Sequence, residues 1–495
     1  MLNKVILHPF LFSLVPILFL FQHNIHELPL ENIIEPLFFS LVIVFFIWLG
    51  LRFIIGNSKA GLLSSFIVLL FFIYANLHTL IISLDNEVIQ IFARNSVLGS
   101  IFLFCFIIGV IYLIKTKSTI NKTFAANTMS IVIVAFLLIN VATYYASSTV
   151  ELTAYDADNI PVLIPNIEKK PNVYFILLDA HAGKQALDMD FNYDLTEFNN
   201  NLEKRGFVIP DKSYSNYPNT ALSAPSIMNM IYLDFLTEDV GINSKDKSVP
   251  QYMLKHNTVM KIFTKNGYRV TSFYGGAGAA GDISLVDEKL CKYRTNNADF
   301  RTSFVKTYLT TTIFNQILID EFQRDKLECF FSTILNFEED EQRPEYVHGH
   351  IRLPHYPYVY NQNGEHVYDI DSANKNAYLE QLIFADKKTL ELVDSIQNRS
   401  AESVIIIMSD HGFRPYINWE EPEKEDFIRG FNTISAFYFP GKTNSIPSEV
   451  SAVNTFRIFF NTYFDTNYEI LEDRHIWYTD DKPYDFEDIS HEFKK

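Results

Sequence analysis

The chain has 495 residues, of which 48% are hydrophobic, and it carries a formal net charge of −17 at pH 7. Residues 1–150 contain 7 Lys and Arg against 5 Asp and Glu, whereas the rest of the chain contains 34 and 53. This acidic balance argues against nucleic acid as a partner of the larger part, and the length allows more than one domain.

Five apolar segments occupy the first part of the chain, and each is close to the roughly 20 residues that cross a bilayer as a helix. They cover residues 5–22, 36–56, 61–82, 98–114 and 129–146. The first resembles a signal peptide, but no small-residue cleavage site follows it and four more segments do, so we interpret it as a retained helix. The sequence therefore predicts a five-helix transmembrane domain over residues 1–147.

Charged residues in the predicted loops give the orientation of these helices. The basic residues on one side are Lys4, Arg52, Lys59, Lys115, Lys117 and Lys122. On the other side, Arg94 accompanies the acidic residues Glu27, Glu31, Glu35, Asp85 and Glu87. By the positive-inside rule the N-terminus is cytoplasmic, and five spans place the later part of the chain in the periplasm or outside the cell. We expect a multi-pass protein of the inner or plasma membrane with membrane lipids as partners.

Residues 148–170 are polar, contain Pro161 and Pro165 and show no periodicity, which predicts a linker. Residues 171–495 have the pattern of a soluble domain. Its first apolar run, Val173 to Leu178, ends in Asp179 and predicts a strand buried on both faces.

A second run of the same kind, Val404 to Met408, ends in Ser409, Asp410, His411 and Gly412. Two such strands are expected to be neighbours in one parallel sheet, whose carboxyl edge would bring Asp179 towards Asp410 and His411. Asp and His are ligands of divalent metals. The alternative is that Asp410 and Gly412 belong to an ordinary turn.

Thr220 precedes a predicted helix from Ala221 to Met230. The free N–H groups and the dipole at a helix N-terminus favour an anion there. The alternative is that Thr220 is only the N-cap of this helix.

Three histidines, His348, His350 and His355, lie within eight residues. If this segment is extended, His348 and His350 project to the same side. Further predicted elements are helices at 194–205, 255–266 and 378–397, a mostly helical region at 298–340, a strand at 269–274 and a glycine-rich loop at 275–278.

The chain has three cysteines and no Cys-x-x-Cys pair that would indicate a structural zinc site. Cys105 lies in an apolar run. Cys291 and Cys329 lie in the polar part and could form a disulfide in an oxidising compartment, although the sequence does not show that they are close.

The order of these features resembles the sulfatase-like branch of the alkaline phosphatase superfamily. The resemblance rests on Asp179 after a strand, Thr220 about 40 residues later, the His-x-x-x-Pro-His-x-Pro pattern of residues 350–357, and Ser409 to Gly412. With five preceding spans, the layout is similar to bacterial sulfatase-domain membrane proteins, lipoteichoic-acid synthases and lipid A phosphoethanolamine transferases. The resemblance covers about residues 171–465 and implies an α/β domain with a mostly parallel central sheet.

The resemblance also implies a site. Asp179, Thr220, Asp410 and His411 would hold one divalent metal ion, with Thr220 also the nucleophile. Mn²⁺, Zn²⁺ and Mg²⁺ suit these ligands, with His411 slightly disfavouring Mg²⁺ and with Ca²⁺ less expected.

His355 and His350 would face the substrate and either stabilise its charge or protonate the leaving oxygen. Asp386 is a possible ligand of a second ion, but no His follows it at the four-residue spacing of two-metal relatives. We therefore expect a single ion.

The chain departs from the family at two positions. Sulfatases that cleave sulfate esters use a Cys/Ser-x-Pro-x-Arg motif, whereas this chain reads Thr220-Ala221-Leu222-Ser223-Ala224. Phosphoryl chemistry is therefore better supported than sulfate ester cleavage. The transferases place Glu where this chain has Asp179, which is one methylene shorter.

Three functions remain open from the sequence. The preferred one is a phosphotransferase or phosphodiesterase acting on a lipid head group or envelope glycan. The second is hydrolysis of a sulfuric or phosphoric ester. The third is a non-catalytic, lipid-binding membrane regulator, which would have no need to retain Asp179, Thr220, Asp410 and His411 together.

Overall fold

The structure, a computed structural model, describes residues 5–25, 30–82, 91–147, 170–273, 285–291, 315–369 and 371–493. Residues 5–147 and 315–321 belong to one compact unit, and residues 170–291 and 322–493 to another. The predicted loop at 275–278, nearly all of the predicted linker, and Lys4, Glu27, Asp85 and Glu87 lie outside the described residues. The domain boundaries at 147 and 171 stay predictions.

The apolar first part of the chain forms five helices in the described ranges. They are α1 (His8–His23), α2 (Ile34–Ile55), α3 (Asn57–Ile82), α4 (Asn95–Lys115) and α5 (Ile120–Ser147). The last four contain stretches of 20 to 27 residues that are long and apolar enough to cross a membrane. Helix α1 has only 16 residues, with Pro16 inside it, so the structure supports four of the five predicted spans.

The side chains of these helices separate into an inner and an outer set. Ile17 and Phe21 of α1 pack with Leu137 of α5 and are buried. Phe46 and Phe53 of α2 are 64% and 81% exposed. Exposed aromatic rings at this density are unfavourable in water but suit the hydrocarbon core of a bilayer, which is consistent with a membrane-embedded unit.

The second unit is built on a six-stranded sheet with the order β4-β3-β5-β1-β8-β9. Its strands are β1 (Val173–Asp179), β3 (Arg269–Phe273), β4 (Glu288–Leu290), β5 (Glu345–Pro354), β8 (Val404–Ser409) and β9 (Ser435–Tyr438). All pairings are parallel except that between β8 and β9. The predicted mostly parallel central sheet is confirmed.

Three two-stranded sheets lie outside this central sheet. They pair β2 (Lys212–Tyr214) with β10 (Glu449–Ser451), β6 (Tyr358–Tyr360) with β7 (His366–Asp369), and β11 (Ile476–Thr479) with β12 (Lys482–Asp488). The last pair is an antiparallel hairpin near the end of the chain, whose turn contains Asp480 and Asp481.

The described helices of this region are α6 (Lys184–Phe191), α7 (Thr196–Glu203), α8 (Thr220–Asn229), α9 (Ser248–Lys255), α10 (Thr258–Lys265), α11 (Asn315–Leu335), α12 (Lys375–Arg399), α13 (Lys424–Phe431) and α14 (Thr455–Tyr463). The helix predicted at 255–266 corresponds in sequence to α10, and the structure has a separate helix, α9, before it.

Both faces of the central strands are covered. In β1, Tyr174, Ile176 and Leu178 belong to one hydrophobic cluster, while Phe175 and Leu177 belong to another on the opposite face. Every residue of β1 and β8 is buried. Burial on both faces explains why these strands are continuous apolar runs and why their first polar residues appear only at the carboxyl edge.

Cys291 and Cys329 form a disulfide, with their Cα atoms 5.6 Å apart. Cys291 directly follows β4 and Cys329 lies in α11. The bond closes a sequence separation of 38 residues and ties the edge of the central sheet to a covering helix. The pairing considered from the sequence is thus present, and Cys105 is a free, exposed cysteine.

Candidate active site

The carboxyl ends of β1 and β8 lie side by side. The two strands pair in parallel, with Leu178 opposite Ser409, so Asp179 and Asp410 follow at the same edge. The chain turns sharply after Asp179, because Ala180 has a φ of 64°. The structure therefore brings together the two acids that the sequence placed at strand ends.

Asp410 is fully buried, and its two carboxylate oxygens have different partners. Oδ1 accepts hydrogen bonds from the backbone N–H groups of Ala180 at 3.2 Å and His411 at 3.0 Å. Oδ2 accepts a hydrogen bond from Thr220 Oγ1 at 2.5 Å. Asp410 is thus fixed by backbone on one side and directed at the hydroxyl of Thr220 on the other.

Thr220 is the first residue of α8, and Asn219 is its N-cap. The Asn219 side chain accepts a hydrogen bond from Ala221 N–H at 2.8 Å, which is the capping interaction. The alternative that Thr220 serves only as the N-cap is therefore wrong. Its hydroxyl is left to interact with Asp410.

Asp179 and His411 complete a buried cluster with Asp410. One ligand atom from each of the three residues lies within 4.8 Å of the other two. His411 Nε2 is 3.5 Å from Asp179 Oδ1 and 3.9 Å from Asp410 Oδ2. His411 Nδ1 is 2.8 Å from the carbonyl oxygen of Gly412, which assigns the proton to Nδ1 and leaves Nε2 as a potential metal ligand.

His350 lies on the other side of the two acids. Its Nε2 atom is 3.8 Å from both Asp179 Oδ2 and Asp410 Oδ2. The side chain is 1% exposed, and neither ring nitrogen has a hydrogen-bond partner among the described residues. His350 therefore faces the two acids, and its predicted role towards a substrate stays a prediction.

The charges of this cluster stabilise one another. Burial alone would raise the pKa of Asp179, but the imidazoles of His355, His411 and His350 hold it well below its usual range. Burial alone would lower the pKa of His411, but Asp410 and then Asp179 raise it above its usual value. Asp179 is thus an ionised carboxylate in a buried setting.

The cluster has the properties of a cation site. Both oxygens of Asp179 are buried and have no hydrogen-bond partner among the described residues. An unpaired buried carboxylate is strongly unfavourable unless a cation compensates it. Two carboxylates and an imidazole whose Nε2 faces them, once that imidazole is deprotonated, are a ligand set for a divalent transition metal, so the residues present fit a metal ion.

The remaining two histidines of the segment take different positions. His348 is buried within β5, and its ring stacks on Phe175 at 5.6 Å between ring centroids. Burial, followed by the charge of His350, lowers the pKa of His348 to about 3. His348 is therefore a neutral core residue.

His355 follows the end of β5, and its backbone N–H donates to the carbonyl oxygen of Asp179 at 3.1 Å. Its ring centroid is 6.3 Å from that of His411. Nδ1 is 2.6 Å from the carbonyl oxygen of Tyr356 and 3.3 Å from Nε of Arg352. Burial lowers the pKa of His355 to about 4.

Asp386 of α12 does not join the cluster. Its Oδ1 atom is 2.8 Å from Nε2 of His181, and His181 Nδ1 is 2.9 Å from the carbonyl oxygen of Ala182. Burial raises the pKa of Asp386, and His181 opposes this shift. The sequence interpretation missed His181, although its position two residues after Asp179 is visible in the sequence.

Gly412 allows the turn that follows His411. A Cβ atom at this position would lie 2.2 Å from the carbonyl oxygen of Arg429 and 2.9 Å from that of Asn432. The Gly412 N–H donates to the carbonyl oxygen of Gly430 at 2.9 Å. The glycine is therefore required because α13 and the residue after it approach the chain closely at this point.

The family model described as Sulfatase matches residues 171–441. No curated protein sequence matches the chain.

Two of the similar solved structures are phosphoethanolamine transferases. The C-terminal periplasmic domain of EptC from Escherichia coli is 11% identical, with a TM-score of 0.43, over 65% of this chain and 93% of that chain. The integral membrane protein lipooligosaccharide phosphoethanolamine transferase A (EptA) from Neisseria meningitidis is 13% identical, with a TM-score of 0.40, over 92% of this chain and 95% of that chain.

The match to the Sulfatase model spans more than half of the chain and includes Asp179, Thr220, Asp410 and His411. The parallel pairing of β1 with β8, the two strand-end acids and the threonine at a helix start agree with the sequence resemblance. The chain belongs to the sulfatase family and is a membrane-anchored enzyme of the sulfatase-like branch of the alkaline phosphatase superfamily.

Proposed function

We propose that this enzyme is a metal-dependent phosphotransferase or phosphodiesterase that uses Thr220 as its nucleophile on lipid head groups or envelope glycans. The observation that supports this most is the 2.5 Å contact between Thr220 Oγ1 and Asp410 Oδ2 at the edge where Asp179 and His411 converge. The buried carboxylate of Asp410 can accept the proton of the hydroxyl that points at it.

Asp179, Asp410, His411 and Thr220 would hold one divalent ion, which we propose to be Mn²⁺, Zn²⁺ or Mg²⁺. Bound there, the ion supplies compensation of negative charge and lowers the pKa of a coordinated hydroxyl. Asp386 is already paired with His181, so no second ion is proposed.

In the proposed reaction, Thr220 Oγ forms a bond to phosphorus while the bond from phosphorus to the leaving oxygen breaks. Asp410 Oδ2 is placed to take the hydroxyl proton. The product of this step is a phosphothreonine, and the leaving alcohol needs a proton. A second displacement, by an acceptor hydroxyl or by water, restores Thr220.

His350 and His355 are the proposed proton donors or charge-stabilising groups for this substrate. His350 Nε2 faces the two acids. In His355, Nδ1 contacts the carbonyl oxygen of Tyr356, which leaves Nε2 as the nitrogen for a substrate. An imidazolium can donate to a phosphoryl or leaving oxygen, and a bound phosphoryl anion would raise the lowered pKa of His355 towards the range in which its ring is protonated. Single substitutions of His350 and His355 to Gln separate their roles, because only loss of the proton donor should depend on how acidic the leaving alcohol is.

We propose that the catalytic unit lies outside the cytoplasm and that five helices anchor it. The Cys291–Cys329 disulfide supports an oxidising compartment, and the loop charges place the N-terminus in the cytoplasm. Anchoring raises the effective concentration of lipid substrates near the site.

Ester hydrolysis is a second candidate function, because the family model is that of the sulfatases. The residues at positions 220–224, however, do not contain the Cys/Ser-x-Pro-x-Arg pattern of sulfate ester cleavage. For a phosphoric ester the two candidates share the Thr220 step and differ in whether an acceptor hydroxyl or water resolves the phosphothreonine. Hydrolysis of a sulfuric ester would transfer a sulfuryl group instead.

The test uses the full chain in detergent with a chromogenic phosphodiester and added Mn²⁺ or Zn²⁺. We expect metal-dependent cleavage that is lost in Thr220→Ala and partly retained in Thr220→Ser, which keeps the hydroxyl. A sulfate ester assayed in parallel tests the alternative that the chain hydrolyses sulfuric esters. Equal turnover by the wild type and Thr220→Ala would overturn the proposal.

A further inference from the structure

A cavity of about 140 Å³ adjoins the candidate active site. Its lining includes His355 and His411, the rings of Tyr358 and Phe413, and Arg414. It therefore lies beside the residues assigned to the reaction and offers room for part of a substrate. Arg414 is the one cation of this lining whose charge does not depend on pH near neutrality.

The Arg414 guanidinium is held from two directions. Nη2 donates to Asp480 Oδ2 at 3.1 Å, and the guanidinium carbon lies 4.9 Å from the centre of the Trp419 ring. Asp480 lies in the turn of the β11–β12 hairpin, 66 residues further along the chain. A guanidinium that is paired and stacked has little freedom left to lose when it binds an anion.

Arg414 also keeps an unused donor. Its Nε atom is buried and has no hydrogen-bond partner among the described residues. A buried N–H without an acceptor is unfavourable, and a substrate oxygen in the adjoining cavity would supply the acceptor. The guanidinium fork matches the oxygens of a phosphate group.

The Asp480 carboxylate contacts a second cation besides Arg414. The Asp480 carboxylate is 3.1 Å from Arg414 and 3.9 Å from Lys247 Nζ, so one acid faces two cations. The same carboxylate accepts a hydrogen bond from Asn219 Nδ2 at 3.0 Å, and Asn219 caps the helix of Thr220. Asp480 thus connects the cation to the nucleophile's helix.

We propose that Arg414 recognises a non-bridging oxygen of a tetrahedral oxyanion, of the phosphate ester class, in this cavity. Asp480 and Trp419 are positioning residues, because they act on the substrate only through Arg414. The inference rests on the proposed function, since it assigns the cavity to the substrate of Thr220.

The test titrates the metal-loaded full chain with inorganic phosphate and follows thermal unfolding. We expect Arg414→Gln to weaken the apparent phosphate affinity about 10- to 100-fold, the factor typical of a lost charge-assisted hydrogen bond. Arg414→Lys should recover part of it, because Lys keeps the charge but not the planar fork. Asp480→Asn should weaken the affinity by a smaller factor, roughly threefold to tenfold.

The matched control is Arg205→Gln. Arg205 also pairs with a carboxylate, with Nε 2.6 Å from Asp394 Oδ1, but it does not line the cavity. Its phosphate affinity should equal that of the wild type. With the chromogenic phosphodiester, Arg414→Gln should raise KM by a larger factor than it lowers kcat, which a purely structural role would not produce.

A folded Arg414→Gln variant with wild-type phosphate affinity overturns this inference, whatever happens to Thr220→Ala. If Arg414→Gln does not fold, Arg414→Lys and Asp480→Asn decide through the same titration. Weakened phosphate binding in Arg414→Gln together with full turnover in Thr220→Ala supports the anion site and overturns the proposed function. An equal response to phosphate and sulfate shows recognition of tetrahedral anions in general, whereas a response to sulfate alone contradicts the phosphate class.

Discussion

The second unit contains two buried groupings of acid and imidazole, and their spacings differ. Asp386 Oδ1 and His181 Nε2 are 2.8 Å apart, a direct hydrogen bond. Around Asp179, the contacts with His411 and His350 are 3.5 and 3.8 Å, and both Asp179 oxygens are unpaired among the described residues. In the first grouping one Asp386 oxygen is paired while Oδ2 is buried without a hydrogen-bond partner among the described residues. In the second grouping neither Asp179 oxygen is paired, and the spacing is the open spacing of ligands around an ion.

This difference explains why residue type alone does not identify a metal site. Asp386 and Asp179 are both buried acids near a histidine, and both were candidate ligands in the sequence. Asp386 has a direct hydrogen bond to His181 through Oδ1, whereas Asp179 has no hydrogen-bond partner among the described residues. The grouping at the carboxyl edge of β1 and β8 has two carboxylates and therefore leaves more negative charge for a cation to balance.

The largest expected effect is that of Asp410→Asn. This change removes one negative charge and the proton acceptor for Thr220 while keeping the side-chain shape. We expect turnover to fall on the order of 10³-fold, about 4 kcal/mol in activation free energy. Metal content, measured by mass spectrometry of the purified chain, should fall with it. Retention of both metal and activity would show that the open grouping is not the metal site.

Asp386→Ala tests the closed grouping. It leaves His181 Nε2 without its buried partner, so the free energy of unfolding should fall by about 2–3 kcal/mol. The metal content should not change. Asp386→Asn is the matched control, because its amide can still hydrogen-bond to the ring, and it should cost less stability. A loss of metal in Asp386→Ala would mean that the two groupings are not separate.

Much of this arrangement could be predicted from the sequence. The strand-end positions of Asp179 and Asp410 follow from two continuous apolar runs, because a continuous apolar run is typical of a strand that is buried on both faces. Thr220 was placed at a helix start correctly, but the capping role belongs to Asn219. Capping depends on backbone geometry at a single residue, which a pattern of residue types does not determine.

Other features depend on contacts between distant segments. The hydrogen bond from Arg414 to Asp480 joins the segment after β8 to a hairpin turn near the end of the chain. No local sequence pattern predicts it. The pairing of His181 with Asp386 spans 205 positions. The length of α1 was overestimated because the apolar run begins before the helix does.

His348 offers a smaller test on a histidine that lies in neither grouping. Its pKa in the folded chain is about 3 because it is buried, below the ordinary value of 6.5, so the unfolded chain binds the proton first as pH falls. Its contribution to stability is therefore complete above pH 6.5 and decreases towards pH 3.

Between pH 7 and pH 5 this amounts to a loss of about 2 kcal/mol of unfolding free energy. His348→Phe keeps a ring against Phe175 and removes the titrating group, so its stability should fall less over the same interval. Denaturant unfolding of both proteins at the two pH values gives the comparison. Equal losses of unfolding free energy in both proteins would mean that a group other than His348 causes the acid sensitivity.

The smallest expected effect is that of Asp179→Glu, which adds the methylene found in the transferases. Charge is conserved and only the reach of the carboxylate changes, so turnover should change by no more than about tenfold. Metal content should be retained. A loss as large as that of Asp410→Asn would show that the position tolerates no change in arm length.

The most direct measurement of the central claim is a search for the covalent intermediate on Thr220. The metal-loaded chain is mixed with the phosphodiester, quenched in acid, digested and analysed by mass spectrometry. We expect a phosphoryl adduct on Thr220 that depends on substrate, disappears when the metal is chelated and is absent in Thr220→Ala. An adduct on another residue, or turnover without any dependence on Thr220, would contradict the account.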